Sequence, residues 1–128
     1  MKLNVKTPYT FTTFGFVVYY VVLVAMLALI LVRGDNTLPL HMGSHISNFS
    51  LVVTYLFCIG SVTMLTKFSW KYILANAALL ILINLLVETV VSILNTPDII
   101  DALYGIAGVV FALALLVAMR AYGFRPAK

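Results

Sequence analysis

Four long apolar runs separated by short polar breaks organise the chain. The first covers about residues 11–32 and contains no charged side chain. At about 22 residues it can cross a bilayer, and it exceeds the apolar part of a signal peptide, which reaches roughly 15. No small-x-small cleavage site follows; Arg33-Gly34-Asp35-Asn36 comes next, so a retained first helix is expected. Gly34, Asp35, Asn36, Pro39 and Gly43 are turn formers and argue against a continuous helix over residues 33–45. The second run, about residues 46–65, is the most polar, with Ser47, Asn48, Ser50, Thr54, Ser61 and Thr63. Such residues tend to face neighbouring helices rather than lipid.

A tight connection at residues 66–69 leads into the third run, about 70–94. Lys67 and Lys71 flank it, and Trp70 and Tyr72 suit an interfacial anchor. Asn95-Thr96-Pro97-Asp98 breaks the third run. Pro97 disfavours a helical Thr96 and suits the first turn of the next helix. Thr96 is therefore the expected N-cap, with Asp98 near the positive end of a fourth span at about residues 99–119. There is no repeat, low-complexity tract or domain boundary, so residues 1–128 read as one membrane domain. Short connections predict consecutive helices as antiparallel neighbours. The expected fold is an all-α integral membrane protein, a four-transmembrane-helix antiparallel bundle.

Composition agrees with a lipid solvent. The chain is 63% hydrophobic and 9% charged, with a mean hydropathy of +1.11, against roughly 25% charge in soluble domains. The net charge of +4 does not point to nucleic acid, because the basic residues sit at the ends of apolar runs. Lys2, Lys6, Lys67, Lys71, Arg120, Arg125 and Lys128 fall on one side of the membrane, and Arg33 alone on the other. The positive-inside rule then makes both termini cytoplasmic. Asp35, His41, His45, Asp98 and Asp101 lie at the outer face. Glu88, seven residues before Asn95, is expected roughly 10 Å below the outer end of its helix. Cys58 is the single cysteine, so the chain has no intrachain disulfide and no Cys-based zinc or redox motif. It reads as a small buried hydrophobe.

Helical spacing gathers the polar residues. On the third helix, Asn84, Glu88, Ser92 and Asn95 share one face. On the fourth, Asp101 heads a stripe of Gly105, Gly108 and Ala112, small residues that let another helix backbone approach. On the second, His41 and His45 stand four apart, and Asn48 and Tyr55 continue their face. The simplest way to satisfy these three polar lines is one cluster of His45, Asn48, Asn84, Glu88 and Asp101, joined by Tyr104. An acid within a span is costly and calls for a reason. Each residue also has a plain structural reading. Glu88 can be a protonated or paired carboxyl that fixes packing, and Asp98 a helix-start residue. His41 can be an interfacial histidine. Asn76 is expected to face a neighbouring helix, and Gly105, Gly108 and Ala112 to serve packing. Two histidines with carboxylates at one end admit a divalent ion. Because no HExxH, Cys ligand or close carboxylate motif accompanies them, neither metal nor other cofactor is expected. No Ser/His/Asp motif, phosphate loop or dinucleotide fingerprint occurs.

At these residues the chain resembles the VanZ-like family of small bacterial membrane proteins. His45 with Phe49, then Glu88, then Asp101 with Gly105, Gly108 and Ala112 are the matching positions, within about residues 42–112. His41 and Met42 stand where the family usually has Asp-Lys, Val91 where a Gln is common, and Gly105 where an Asn is expected. The loop Arg of the family is missing. The resemblance implies a multi-pass protein of the bacterial inner membrane with an envelope-associated role, including low-level glycopeptide resistance in some members.

The leading expectation is a non-enzymatic protein whose outer polar cluster binds a lipid headgroup, a cell-wall precursor or a membrane-protein partner, as a single chain or a homo-oligomer. One alternative is a small proton- or ion-coupled transporter with Glu88 as the coupling acid. Another is a membrane-embedded enzyme acting on a lipid-linked substrate through Glu88, Asp101 and His45.

Overall fold

The computed structural model describes residues 8–32, 42–67, 69–90 and 98–128. They form a short strand β1 (Tyr9–Phe11), helices α1 (Thr13–Leu31), α2 (Met42–Thr66), α3 (Trp70–Thr89) and α4 (Ile99–Tyr122), and a strand β2 (Phe124–Pro126). All four helices are long and apolar enough to cross a membrane. At 1.5 Å per residue the 24 residues of α4 span roughly 36 Å, against a hydrocarbon core of about 30 Å. Large apolar side chains stay exposed along the bundle, including Val24, Leu31, Leu51, Leu79, Val110 and Val117. Lipid, unlike water, imposes no cost on such a surface.

Two expectations about the helices change. The second helix starts at Met42 rather than at residue 46, so His45 sits inside its first turn. The third ends at Thr89, with Val90 as its C-cap, rather than near residue 94. Glu88 is therefore in the last turn of α3 and not about two turns inside it. Arg33, Asp35, His41, Val91, Ser92, Asn95 and Thr96, each singled out above, lie outside the described residues.

The largest helix interface joins α2 to α4; α3 packs next most extensively on α4, and α1 leans on α2. α2 and α4 start at the same end of the bundle and run parallel, because Asn48 near the start of α2 bonds the Asp101 carbonyl near the start of α4. The main seam is thus between parallel helices two apart in sequence, not between consecutive antiparallel neighbours. Small residues on α4 explain the preference. A Cβ on Gly108 would lie 2.8 Å from the Phe49 carbonyl oxygen of α2, so the two backbones approach more closely than a side chain would allow. Further along, Gly60 of α2 leaves room for the Leu116 side chain. The core beneath holds Val53, Leu56, Phe57 and Met64 of α2 with Val109, Ala112, Leu116 and Met119 of α4 and Ile73 of α3. α1 buries little beyond Gly15, Val22 and Met26. Asn76, expected to face a neighbouring helix, instead donates to the Tyr72 carbonyl of its own helix at 2.9 Å. Cys58 is half-buried, and Tyr19 of α1 donates to its sulfur at 3.6 Å.

The chain ends add a feature that no helical pattern indicates. β1 pairs antiparallel with β2, Thr10 opposite Arg125. The Thr12 amide and hydroxyl donate to the Gly123 and Tyr122 carbonyls at 2.9 and 2.7 Å, and the Thr12 hydroxyl also accepts from the Gly15 amide as the N-cap of α1. Phe11 stacks on Phe124 with centroids 5.3 Å apart. The clasp holds residues 8–12 and the end of α4 together at one end of the bundle. Every described Lys and Arg (Lys67, Lys71, Arg120, Arg125 and Lys128) belongs to segments at that end. There Lys67 lies over the Tyr72 ring at 4.2 Å and Arg120 over Trp70 at 5.6 Å, cation–π contacts at the basic end of the bundle.

Candidate functional site

The described acids occupy the opposite end, where α2 and α4 begin and α3 finishes. Asp98 caps α4: its Oδ1 accepts from the Ile100 amide at 2.9 Å. This corrects the assignment of the cap to Thr96; Pro97, expected in the first turn, lies outside the described residues. The Asp98 carbonyl also accepts from the Asp101 amide at 3.1 Å. Asp98 and Asp101 both sit at the positive pole of α4, where negative charge is favoured.

His45 projects from the first turn of α2 onto this pole. Its Nδ1 lies 2.6 Å from Asp101 Oδ1 and 3.8 Å from Asp98 Oδ2. An ionised carboxylate only accepts, so with Asp101 ionised Nδ1 carries the proton of the short contact. The His45 side chain is 12% exposed, against 20% for Asp101 and 37% for Asp98, so the group opens toward the bundle end on the Asp98 side. The Tyr104 ring lies 5.4 Å from the imidazole, tilted by 32°, one turn further along α4.

One turn deeper, Asn48 ties three helices together. Its Nδ2 donates to Asn84 Oδ1 of α3 at 2.9 Å and to the Asp101 carbonyl of α4 at 2.6 Å. Asn84 completes its own bonding by donating to the Leu80 carbonyl at 2.9 Å. Gly105 is the space in which this pair meets. A Cβ there would overlap the Asn84 carboxamide and approach Asn48 Nδ2 to 3.1 Å. The small-residue stripe thus serves two purposes: Gly108 admits the α2 backbone, and Gly105 admits two polar side chains.

Glu88 stands apart from the His45–Asp101 contact. It is 8% exposed, and its Oε2 accepts from the Asp98 amide at 3.4 Å. A carboxylate at the C-terminal end of α3 faces the negative pole of its own helix, and the exposed amides at the start of α4 offset that. Glu88, Asn48 and Asn84 also form the polar end of a cleft between α2 and α3 of about 400 Å³. Leu51, Val52 and Tyr55 continue it along α2, and Val87, Ile83 and Leu80 along α3. The cleft exists because α2 and α3 both pack on α4 more than on each other.

All six residues proposed for the site from spacing, His45, Asn48, Asn84, Glu88, Asp101 and Tyr104, therefore lie at one end of the bundle. The contacts divide them into His45 with Asp101 and Tyr104, Asn48 with Asn84, and Glu88 against the Asp98 backbone. Asp98 is the residue that spacing misses. Its Oδ1 does the work of a helix start, yet its Oδ2 faces His45. One donor atom each from His45, Asp98 and Asp101 lie within 4.8 Å of one another, a grouping that could hold a metal ion. Only the assignment of Asp98 as the cap would have revealed this, since a capping carboxylate has a second oxygen to spare. No protein-family model matches the chain, and comparison with curated proteins and with solved structures gives no match.

Proposed function

We propose that this protein is a multi-pass protein of the bacterial inner membrane that binds an amphiphile. An apolar chain lies in the α2–α3 cleft, and a polar head meets the cluster at its end. The observation that carries this reading is the cleft itself, with Leu51, Val52, Tyr55, Leu80, Ile83 and Val87 along its length and Asn48, Asn84 and Glu88 at one end. Ligand sites combine apolar walls with a few polar groups that set orientation, and this cleft has that composition. A membrane lipid or a lipid-linked cell-wall precursor has the matching shape. Kinship with VanZ-like proteins and a role in the cell envelope belong to the same proposal, as does an orientation with both chain ends in the cytoplasm. Glu88 in the last turn of α3 favours binding over ion-coupled transport, which calls for an acid deeper in the membrane.

Leu51→Trp and Ile83→Trp test the reading by filling the cleft. Delipidated protein in detergent is exposed to a photoreactive phosphatidylethanolamine analogue. Wild type should crosslink on residues lining α2 and α3, and each Trp variant should lose most of that labelling while remaining helical. Equal labelling of wild type and both variants would sink the proposal.

A further inference from the structure

We propose that His45, Asp98 and Asp101 form a binding site for one divalent metal ion of borderline hardness, with Zn²⁺ as its type. The donors are an imidazole nitrogen and two carboxylate oxygens, a set that suits zinc better than the soft copper(I) ion. Ligands about 2.0–2.2 Å from a tetrahedral zinc are roughly 3.4 Å from each other. The two separations from His45 Nδ1 bracket that value: 2.6 Å to Asp101 Oδ1 and 3.8 Å to Asp98 Oδ2. Side-chain rotations of under about 1 Å would make them equal. Asp98 contributes without leaving the helix, because Oδ1 holds the cap while Oδ2 faces the imidazole.

Glu88 adds to the negative charge at this end of the bundle. It is more than nine-tenths buried, lies at the negative pole of α3, and accepts a single long hydrogen bond among the described residues, the 3.4 Å contact from the Asp98 amide. With Asp98 and Asp101 it brings three carboxylates to one end of the bundle. The described Lys and Arg residues all belong to the other end, so His45 is the one cation-forming group described among these acids. A dication between His45 and the aspartates offsets this charge. A metal bound at His45 Nδ1 takes the place of the hydrogen in the contact with Asp101 Oδ1, and a neutral imidazole then carries its proton on Nε2.

The test uses the full chain purified in detergent, stripped with chelator and titrated with Zn²⁺ alone. One zinc per chain is expected, with an X-ray absorption spectrum showing imidazole and oxygen ligands without sulfur. Asp98→Asn is the decisive variant, because asparagine keeps the N-cap while removing the anionic ligand. It should weaken zinc binding about 100-fold, the upper end of what even indirect ligand partners contribute. Asp101→Asn and His45→Ala should do the same, whereas His41→Ala should not. Zinc binding that survives Asp98→Asn unchanged, a stoichiometry well below one, sulfur ligation, or loss on His41→Ala alone would each overturn the proposal. Photolabelling of the α2–α3 cleft is read separately, so failure of one proposal leaves the other standing.

Discussion

Asn48 shows how much one side chain can organise when its surroundings are apolar. Both of its amide protons are directed to other helices, one to Asn84 and one to the Asp101 carbonyl. Interhelical hydrogen bonds in membrane proteins contribute about 0.6 kcal/mol on average and up to about 1.7. Asn48→Ala should therefore lower stability by about 1–2 kcal/mol, measured by reversible unfolding in mixed micelles. Gly105→Ala attacks the same junction from α4. Its added methyl would overlap the Asn84 carboxamide, so the loss should be about 1–3 kcal/mol. The two effects should be less than additive in the double variant, because the methyl displaces the bond that Asn48 makes. Full additivity would mean that Gly105 and Asn48 act at separate places. Spacing alone aligned Asn48, Asn84 and Gly105 on their helices. The division of labour between them needed the close approach of α2 to α4, which periodicity does not encode.

At the scale of elements, the start of α4 is the most informative segment. A sequence reading favours Thr96 as the cap because proline is common at the first helical position. The helix instead begins after Asp98, whose side chain accepts from Ile100. Asp98→Ala should cost about 1 kcal/mol of stability through loss of that cap, while Asp98→Asn should cost a few tenths at most. Thermal unfolding of the two variants against wild type separates them; equal losses would remove the capping role. The end of α3 is equally consequential. Ending at Thr89 places Glu88 in the last turn of α3 at the polar end of the bundle, where an acid is less costly than at mid-span. Apolar composition extends the third span to residue 94 because it carries no mark of the C-cap at Val90.

For the molecule as a whole, charge and architecture are segregated along one axis. The β1–β2 clasp lies with the basic residues, and the cluster of His45, Asp98 and Asp101 lies at the other end of α4. From Asp101 to Gly123 is 22 residues, or roughly 33 Å of helix. The pairing of β1 with β2 brings Pro8 and Lys128 to one end of the bundle, and the orientation proposed above makes that end cytoplasmic. Reporters fused to each terminus should both be active in the cytoplasm and silent in the periplasm. A periplasmic signal from either fusion would contradict the arrangement.

The sequence by itself determined the four spans, the polar end and its candidate residues, and the bias of basic charge. These are properties of local composition and of helical period, and a lipid solvent makes them unusually plain: anything polar in an apolar run stands out. Tertiary structure alone decided that α2 pairs with α4, that the two chain ends clasp, and that a cleft opens between α2 and α3. It also decided that Asp98 turns its free oxygen to His45. Each of these depends on which helix faces meet. That choice is made by the fit of Gly105 and Gly108 against α2, a contact between residues more than 50 positions apart, which no local pattern can specify.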